Sequence, residues 1–531
     1  MSLPTERLAR SAGLAGVATL TSRILGLVRD QVLAAVFGAG NEMDAFLVAF
    51  RIPNLVRDLF AEGAMSAAFV PTFTRQLTRS GKADAWRLGS SVVTALIVIT
   101  GLIVALGMVF ARPLVTAYAG DYRAVPGKLE LTIELTRMVL PFLTLAAIAA
   151  AFMGMLNALH HYFVPALSPA MFNVVTIACA LLLVPLMPSL GLPRIMAMAI
   201  AAILGGVGQI AVQWFPLRRE GFRYRAVIDP GDAGLRRVLM LMGPGTLGLA
   251  ATQVNLFVNT LLATSQGTGA VSWLNFAFRI MYLPIGLFGV SIATAVLPAA
   301  SRHAAIDDTD ALRSTVSRGL RLMMMLNVPA TFGLLVLATP IVRLLFERGR
   351  FMPSDTASTA AALQYYAVGL VGYATARIVS PVFYTVGRSR IPVIVSLFTI
   401  TINVAVSVLL VRLMGFRGLA LGTSIAAMAN GGTLFWLLRR HLRRLEATRL
   451  LRTGAKIVVS AVVMAAMAVA VERFANSIAP GSGTVIQAVR LLAAILCALA
   501  ALGATAKLLR IEEFDDAAGR VRLQMQEWLG R

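Results

Sequence analysis

The chain has 531 residues, of which 58% are hydrophobic and 14% charged, with a mean hydropathy of +0.78. Soluble domains run about 45–50% apolar and about 25% charged. These figures exclude a soluble enzyme, a disordered chain and a secreted disulfide scaffold, and they point to a polytopic membrane protein. The formal charge is nonetheless +23, and all but four of the 48 cationic residues are arginine.

A membrane-crossing helix needs roughly 20 apolar residues. In chain order, fourteen spans are predicted, at 11–37, 44–68, 88–111, 130–157, 165–187, 194–216, 238–264, 270–299, 317–341, 359–386, 391–412, 417–438, 455–474 and 486–509. Gly38–Gly40, Pro126-Gly127, Pro185, Pro188, Pro193 and Pro480-Gly481 mark boundaries. The first segment is read as a retained span rather than a signal peptide, because Arg23 and Arg29 interrupt it. Cys179 and Cys497 lie in apolar runs and read as small buried hydrophobes. His160, His161, His303 and His441 have no i,i+4 partner, so no metal site is expected.

Lysine and arginine in the loops set orientation. With a cytoplasmic N-terminus, 30 cationic residues fall on the inner side and 10 on the outer side, Lys128 among the latter. The remaining eight, Arg23, Arg29, Arg51, Arg57, Arg137, Arg279, Arg377 and Arg490, lie in or near the spans. Arg490 is expected to snorkel to the outer interface.

A faint repeat is present. Ala49–Ile52 recurs as Ala277–Ile280, an offset of 228, and glycine-rich turns precede both copies at 38–40 and 267–269. Span two then matches span eight, with six spans between the copies. An even number gives two parallel repeats, an arrangement that recurs in transporters with the substrate site between halves. The expected fold is all-α, with two parallel six-helix halves (1–216 and 217–438) around a central cavity. Two extra helices (439–510) and a cytoplasmic amphipathic tail (511–531) follow.

The densest polar cluster lies in the first two spans: Ser22, Arg23, Arg29, Asp30, Asp44, Arg51, Arg57, Asp58 and Glu62. An arginine near mid-membrane costs about 2.5–3.5 kcal/mol on insertion scales. The plain reading is internal ion pairing and snorkelling; the functional one is a polar cavity. Guanidinium groups bind phosphate oxygens through paired hydrogen bonds, so converging arginines suit a diphosphate.

Thr21–Asp30, Phe37–Gly40, Asp44–Phe46, Pro53–Arg57, Phe60–Ala64 and Phe69–Pro71 together resemble the MurJ (MviN) family of lipid II flippases. Gly243-Pro244, Val271–Trp273, Arg279, Leu344–Phe346 and Gly349–Phe351 fit the same pattern. The resemblance implies the multidrug/oligosaccharidyl-lipid/polysaccharide exporter fold and transport of lipid II from the inner to the outer leaflet of the bacterial cytoplasmic membrane. It implies that Arg23, Arg29, Arg57 and Arg279, with Arg51 and Ser272, bind the head group. Asp30 would pair with an arginine, Asp44 would act near the outer gate, and Glu62 would join them in gating or ion pairing. Spans 455–474 and 486–509 would form a groove for the polyprenyl tail, against a plain reading as lipid-facing anchors. Where family members often carry acidic or amide residues beside the span-eight arginine, this chain has Phe278 and Tyr282.

A transporter, not an enzyme, is therefore expected, with no cofactor. Membrane potential or a gradient of a monovalent cation such as Na+ or H+ would supply net work. The expected partners are lipid II and membrane lipids, with peptidoglycan-synthesis or division proteins as candidates and no nucleic acid. The alternatives are a flippase for another polyprenyl-diphosphate glycan and a drug/cation antiporter of the same superfamily. A membrane-embedded transferase lacks a converging catalytic set, and a scaffold would not need buried arginines.

Overall fold

The computed structural model describes residues 4–58, 65–227, 229, 231–286, 290–442, 447–481, 483–515 and 519. Among these, all regular structure is helical. Among the described residues nine helices are long and apolar enough to cross a membrane, or ten if one bent pair is a single span, which makes the chain a multi-pass membrane protein. The count of fourteen remains a reading of the sequence.

Two compact packing units divide the chain. The first holds residues 1–272 and 348–351. Its helices are α1 (Pro4–Phe37), α2 (Asn41–Arg57), α3 (Met65–Val109), α4 (Ala111–Ala119), α5 (Lys128–Val139), α6 (Phe142–Ala158), α7 (Phe163–Leu182), α8 (Met196–Arg219) and α9 (Ala233–Thr264). The first unit extends to Ser272, and within it α9 lies against α3. Predicted span two ends at 68, but the helix starting at Met65 runs on to a break at Gly81, whose φ of 85° is non-helical. The polar stretch there stays helical beyond the apolar segment. Lys128–Ala158 forms one long apolar segment, α5 and α6, interrupted at Leu140-Pro141. Near one end of this unit Phe73, Trp86, Phe152, Trp214 and Phe222 pack ring to ring at 5.3–6.0 Å.

The second unit begins at Trp273. It contains most of α10 (Ala270–Pro284), then α11 (Val290–Ala305), α12 (Thr309–Phe346), α13 (Pro353–Val368), α14 (Leu370–Thr385), α15 (Arg390–Met414), α16 (Phe416–His441), α17 (Ala447–Ile478) and α18 (Thr484–Leu508). The bent pair is α13 and α14, which meet at 42° around Gly369. Lipid tails are as apolar as leucine, so association in the bilayer depends on close approach and hydrogen bonds. Helix α16 supplies both: Ser424 Oγ donates to the Tyr365 carbonyl at 2.7 Å, and a Cβ on Gly372 would sit 2.5 Å from the Ala427 carbonyl oxygen.

Helices α12, α17 and α18 share an apolar core built around Leu337, Ile457, Ala461, Leu491 and Ala498. Arg490 does not snorkel outward. It is 8% exposed and donates to Asn476 and to the Ala479 carbonyl, so it caps the end of α17. Of the two cysteines, Cys179 is buried and Cys497 is exposed on α18.

Candidate functional site

Helix α2 starts at a tight corner. Gly38 has a φ of 67°, and a Cβ there would lie 2.5 Å from the Arg350 carbonyl oxygen. The Arg350 amide donates to Ala35 O at 2.8 Å, and its guanidinium lies 3.6 Å from Glu42. The glycines of the Phe37–Gly40 and Gly349–Phe351 motifs therefore let two backbones touch.

Asp44 follows on the first turn of α2 and is fully buried. Its Oδ1 accepts from the backbone N–H and Oγ of Ser272, at 3.1 and 2.7 Å. Its Oδ2 accepts from the Gly269 N–H at 2.7 Å and from Lys128 Nζ at 3.0 Å. A carboxylate at the start of α10 meets unsatisfied N–H groups and the positive end of the helix dipole. Asp44 and Ser272 stand 228 residues apart, the offset of the repeat, so equivalent positions of the two copies bond directly. One step away, Thr268 Oγ1 donates to Asn41 Oδ1 at 2.7 Å. In the second unit Trp273 Nε1 donates to Asp355 at 2.9 Å.

Arg29 in α1 is held on two sides. Its Nε and Nη2 donate to Asp30 Oδ1 at 3.1 and 2.7 Å, and its Nη1 donates to Asn173 Oδ1 on α7 at 3.1 Å. Asn173 in turn donates to the Ser22 carbonyl at 3.1 Å. The guanidinium is thus fixed while 15% of the side chain stays exposed. Arg57 pairs likewise with Asp58, whose other oxygen accepts from Gln253 at 3.4 Å. Arg23 and Arg51 are half-buried. Arg23 makes no hydrogen bond or ion pair among the described residues.

Arg279 lies in the second unit, exposed on α10. Phe278 and Tyr282 flank it and stack on each other at 5.9 Å; Tyr282 accepts from Arg377 Nη1 at 2.9 Å. Tyr282 thus links this part of α10 to a second arginine, Arg377 of α14.

The structure joins Asp44 with Ser272 and Arg29 with Asp30. Ser272 is buried and committed to Asp44. Glu62 lies outside the described residues. Sequence reasoning missed Lys128 and Asn173. The first was counted as an outer-loop charge; the second is the one amide in an apolar span. That isolation was the available signal.

In the second unit an apolar groove of about 520 Å³ runs between α12 and α17, lined by Phe332, Val336, Val462, Ala466 and Val469, with Arg473 at one end.

Residues 33–491 match the family described as Lipid II flippase MurJ. A probable lipid II flippase MurJ of Rickettsia prowazekii is 30% identical over 509 residues, covering 96% of this chain and 99% of that protein. The lipid II flippase MurJ of Burkholderia cenocepacia is 33% identical over 453 residues, 85% of this chain and 87% of that protein. The solved structure of a lipid II flippase MurJ in an inward closed conformation has a similar fold, with a TM-score of 0.76 at 24% identity, covering 93% of this chain and 99% of that one. A multidrug resistance MATE family transporter of the MOP superfamily has a TM-score of 0.67 at 16% identity, covering 82% of this chain and 99% of that one. This chain belongs to the MurJ family of lipid II flippases.

Proposed function

We propose that this protein moves lipid II, the diphosphate-linked peptidoglycan precursor, from the cytoplasmic to the outer leaflet of the bacterial inner membrane. The observation that carries the reading is the family match across 33–491, supported by relatives at 30–33% identity over most of their length. The 30:10 division of cationic residues supports cytoplasmic termini.

The mechanism proposed is alternating access between two six-helix halves, 1–216 and 217–438. Arg23, Arg29, Arg51, Arg57 and Arg279 bind the diphosphate and adjoining sugar. A guanidinium already oriented by Asp30 and Asn173 loses little freedom on gripping phosphate, which favours binding. Asp44 and Ser272 close the outer side. The groove beside Arg473 seats part of the polyprenyl tail, so the chain need not leave an apolar medium. Head-group affinity differs between the two states, because a ligand that binds both equally shifts nothing. A monovalent cation gradient or the membrane potential supplies net work.

The test is reconstitution in liposomes with a head-group-labelled lipid II, following which leaflet holds the label. Movement above empty liposomes is expected. No movement from a preparation that binds the lipid would overturn the reading.

A further inference from the structure

We propose that Lys128 is the standing counter-charge of Asp44, and that it enables the first turn of α10 to leave Asp44 and return during transport. The gating part of this proposal rests on the flippase reading.

Asp44 has four donors, and they come from two places. Three, the Gly269 N–H and the N–H and Oγ of Ser272, belong to the four residues 269–272. The fourth is the Lys128 ammonium, at the start of α5, and α5 packs along α2 itself. Lys128 thus travels with Asp44, whereas the other donors sit where the chain enters α10.

Burial makes the pair obligate. Lys128 has 1% of its side chain exposed and Asp44 none. A loop lysine that merely sets topology would reach into water. Here the ammonium is turned inward, 4.0 Å from the centre of the Tyr122 ring, and Tyr122 is itself buried. The ring face and the carboxylate are both negative surfaces that replace water around the ammonium. Removing one member of such a pair leaves the other buried without its counter-charge.

The consequence for gating follows. When residues 269–272 withdraw, Asp44 loses three donors at once. With Lys128 in place the carboxylate keeps an ion pair and the withdrawn state remains accessible. Without it, Asp44 would have only the α10 donors, and it would hold them shut. Lys128 is therefore a positioning residue: it acts through Asp44 and touches no substrate in this role.

The experiment is a double-mutant cycle on the full chain: K128M, D44N and the two combined. Each is read by thermal melting in detergent, by binding of labelled lipid II, and by flipping in liposomes. The amide that D44N introduces still accepts from α10 through its carbonyl oxygen, and K128M keeps an apolar stem without the charge. Each single variant is expected to lower flipping about tenfold or more, K128M with lipid binding retained. The double variant is expected to recover to within about threefold of wild type and to melt above both singles. K128R, which keeps the charge, should flip faster than K128M. A double variant worse than either single in both melting and flipping would overturn the pairing. Wild-type flipping by K128M would overturn the gating role even with coupled melting. If the wild-type protein itself moved no lipid II, the functional reading would fail, while the melting cycle would still judge the ion pair.

Discussion

At the scale of single residues, burial cost is what separates significant charges from ordinary ones. Arg29 is placed by an adjacent carboxylate and an amide 144 residues away. Substituting Arg29→Ala should abolish flipping in liposomes while membrane insertion is unchanged; normal transport would remove Arg29 from the site. Asn173→Leu leaves the Asp30 contact intact and should lower flipping less than R29A does, a ranking the same assay reads. Arg29, Asp30 and Asp44 were legible in the sequence because charge in apolar sequence is conspicuous. Lys128 and Asn173 were not. A lysine next to Pro126-Gly127 looks like loop, and one amide in a span looks incidental. Their roles depend on distances to residues 84 and 144 positions away, which no local pattern encodes.

At the scale of helices, hydrophobic runs and glycine–proline breaks predicted most element positions, since period and length are local properties. Ends moved where polar residues continue a helix beyond its apolar core, as in α3. Interhelical contacts were not legible, because in lipid they rest on shape rather than on hydrophobicity. The α14–α16 crossing shows this: Gly372 meets Ala427, and Gly431 meets Gly372, with a Cβ on either glycine falling 2.5 Å from a carbonyl oxygen. Gly372→Val should destabilise the protein by about 1–3 kcal/mol or more, as overpacking does. The check is a lower melting temperature, with Gly432→Val, where a Cβ meets open space, as the control.

At the scale of the whole molecule, distant chain segments are tied together by a few ion pairs. Residues 511–515 fold back on the second unit: Glu513 pairs with the buried Arg321 of α12, Glu512 pairs with Arg449 of α17, and Phe514 lies against Gly503. Glu513→Ala removes the carboxylate that pairs with the buried Arg321 and should lower the melting temperature; an unchanged melting temperature would contradict this docking. In the first unit Glu220, just past α8, accepts from His161 and Lys82, each at 3.0 Å, and these partners hold its carboxyl below the usual range. A lowered folded-state value means the stabilisation is full above the unfolded value of about 4.3 and fades as pH falls through the folded one. The melting difference between wild type and Glu220→Gln should therefore be small but steady near neutrality and vanish on acidification below that range. The amino-acid order alone established a helical, multi-pass chain, its expected orientation, its repeat and the arginines that invite an anion, because composition, periodicity and charge asymmetry are properties of the linear chain. Folding supplied the rest: Asp44 on Lys128 and Ser272, Arg29 on Asn173, Tyr282 on Arg377, and Arg490 turned inward to cap α17. Asp44, Lys128 and Arg490 are charged groups withdrawn from water, and only the packed chain decides which distant partner stands in for it.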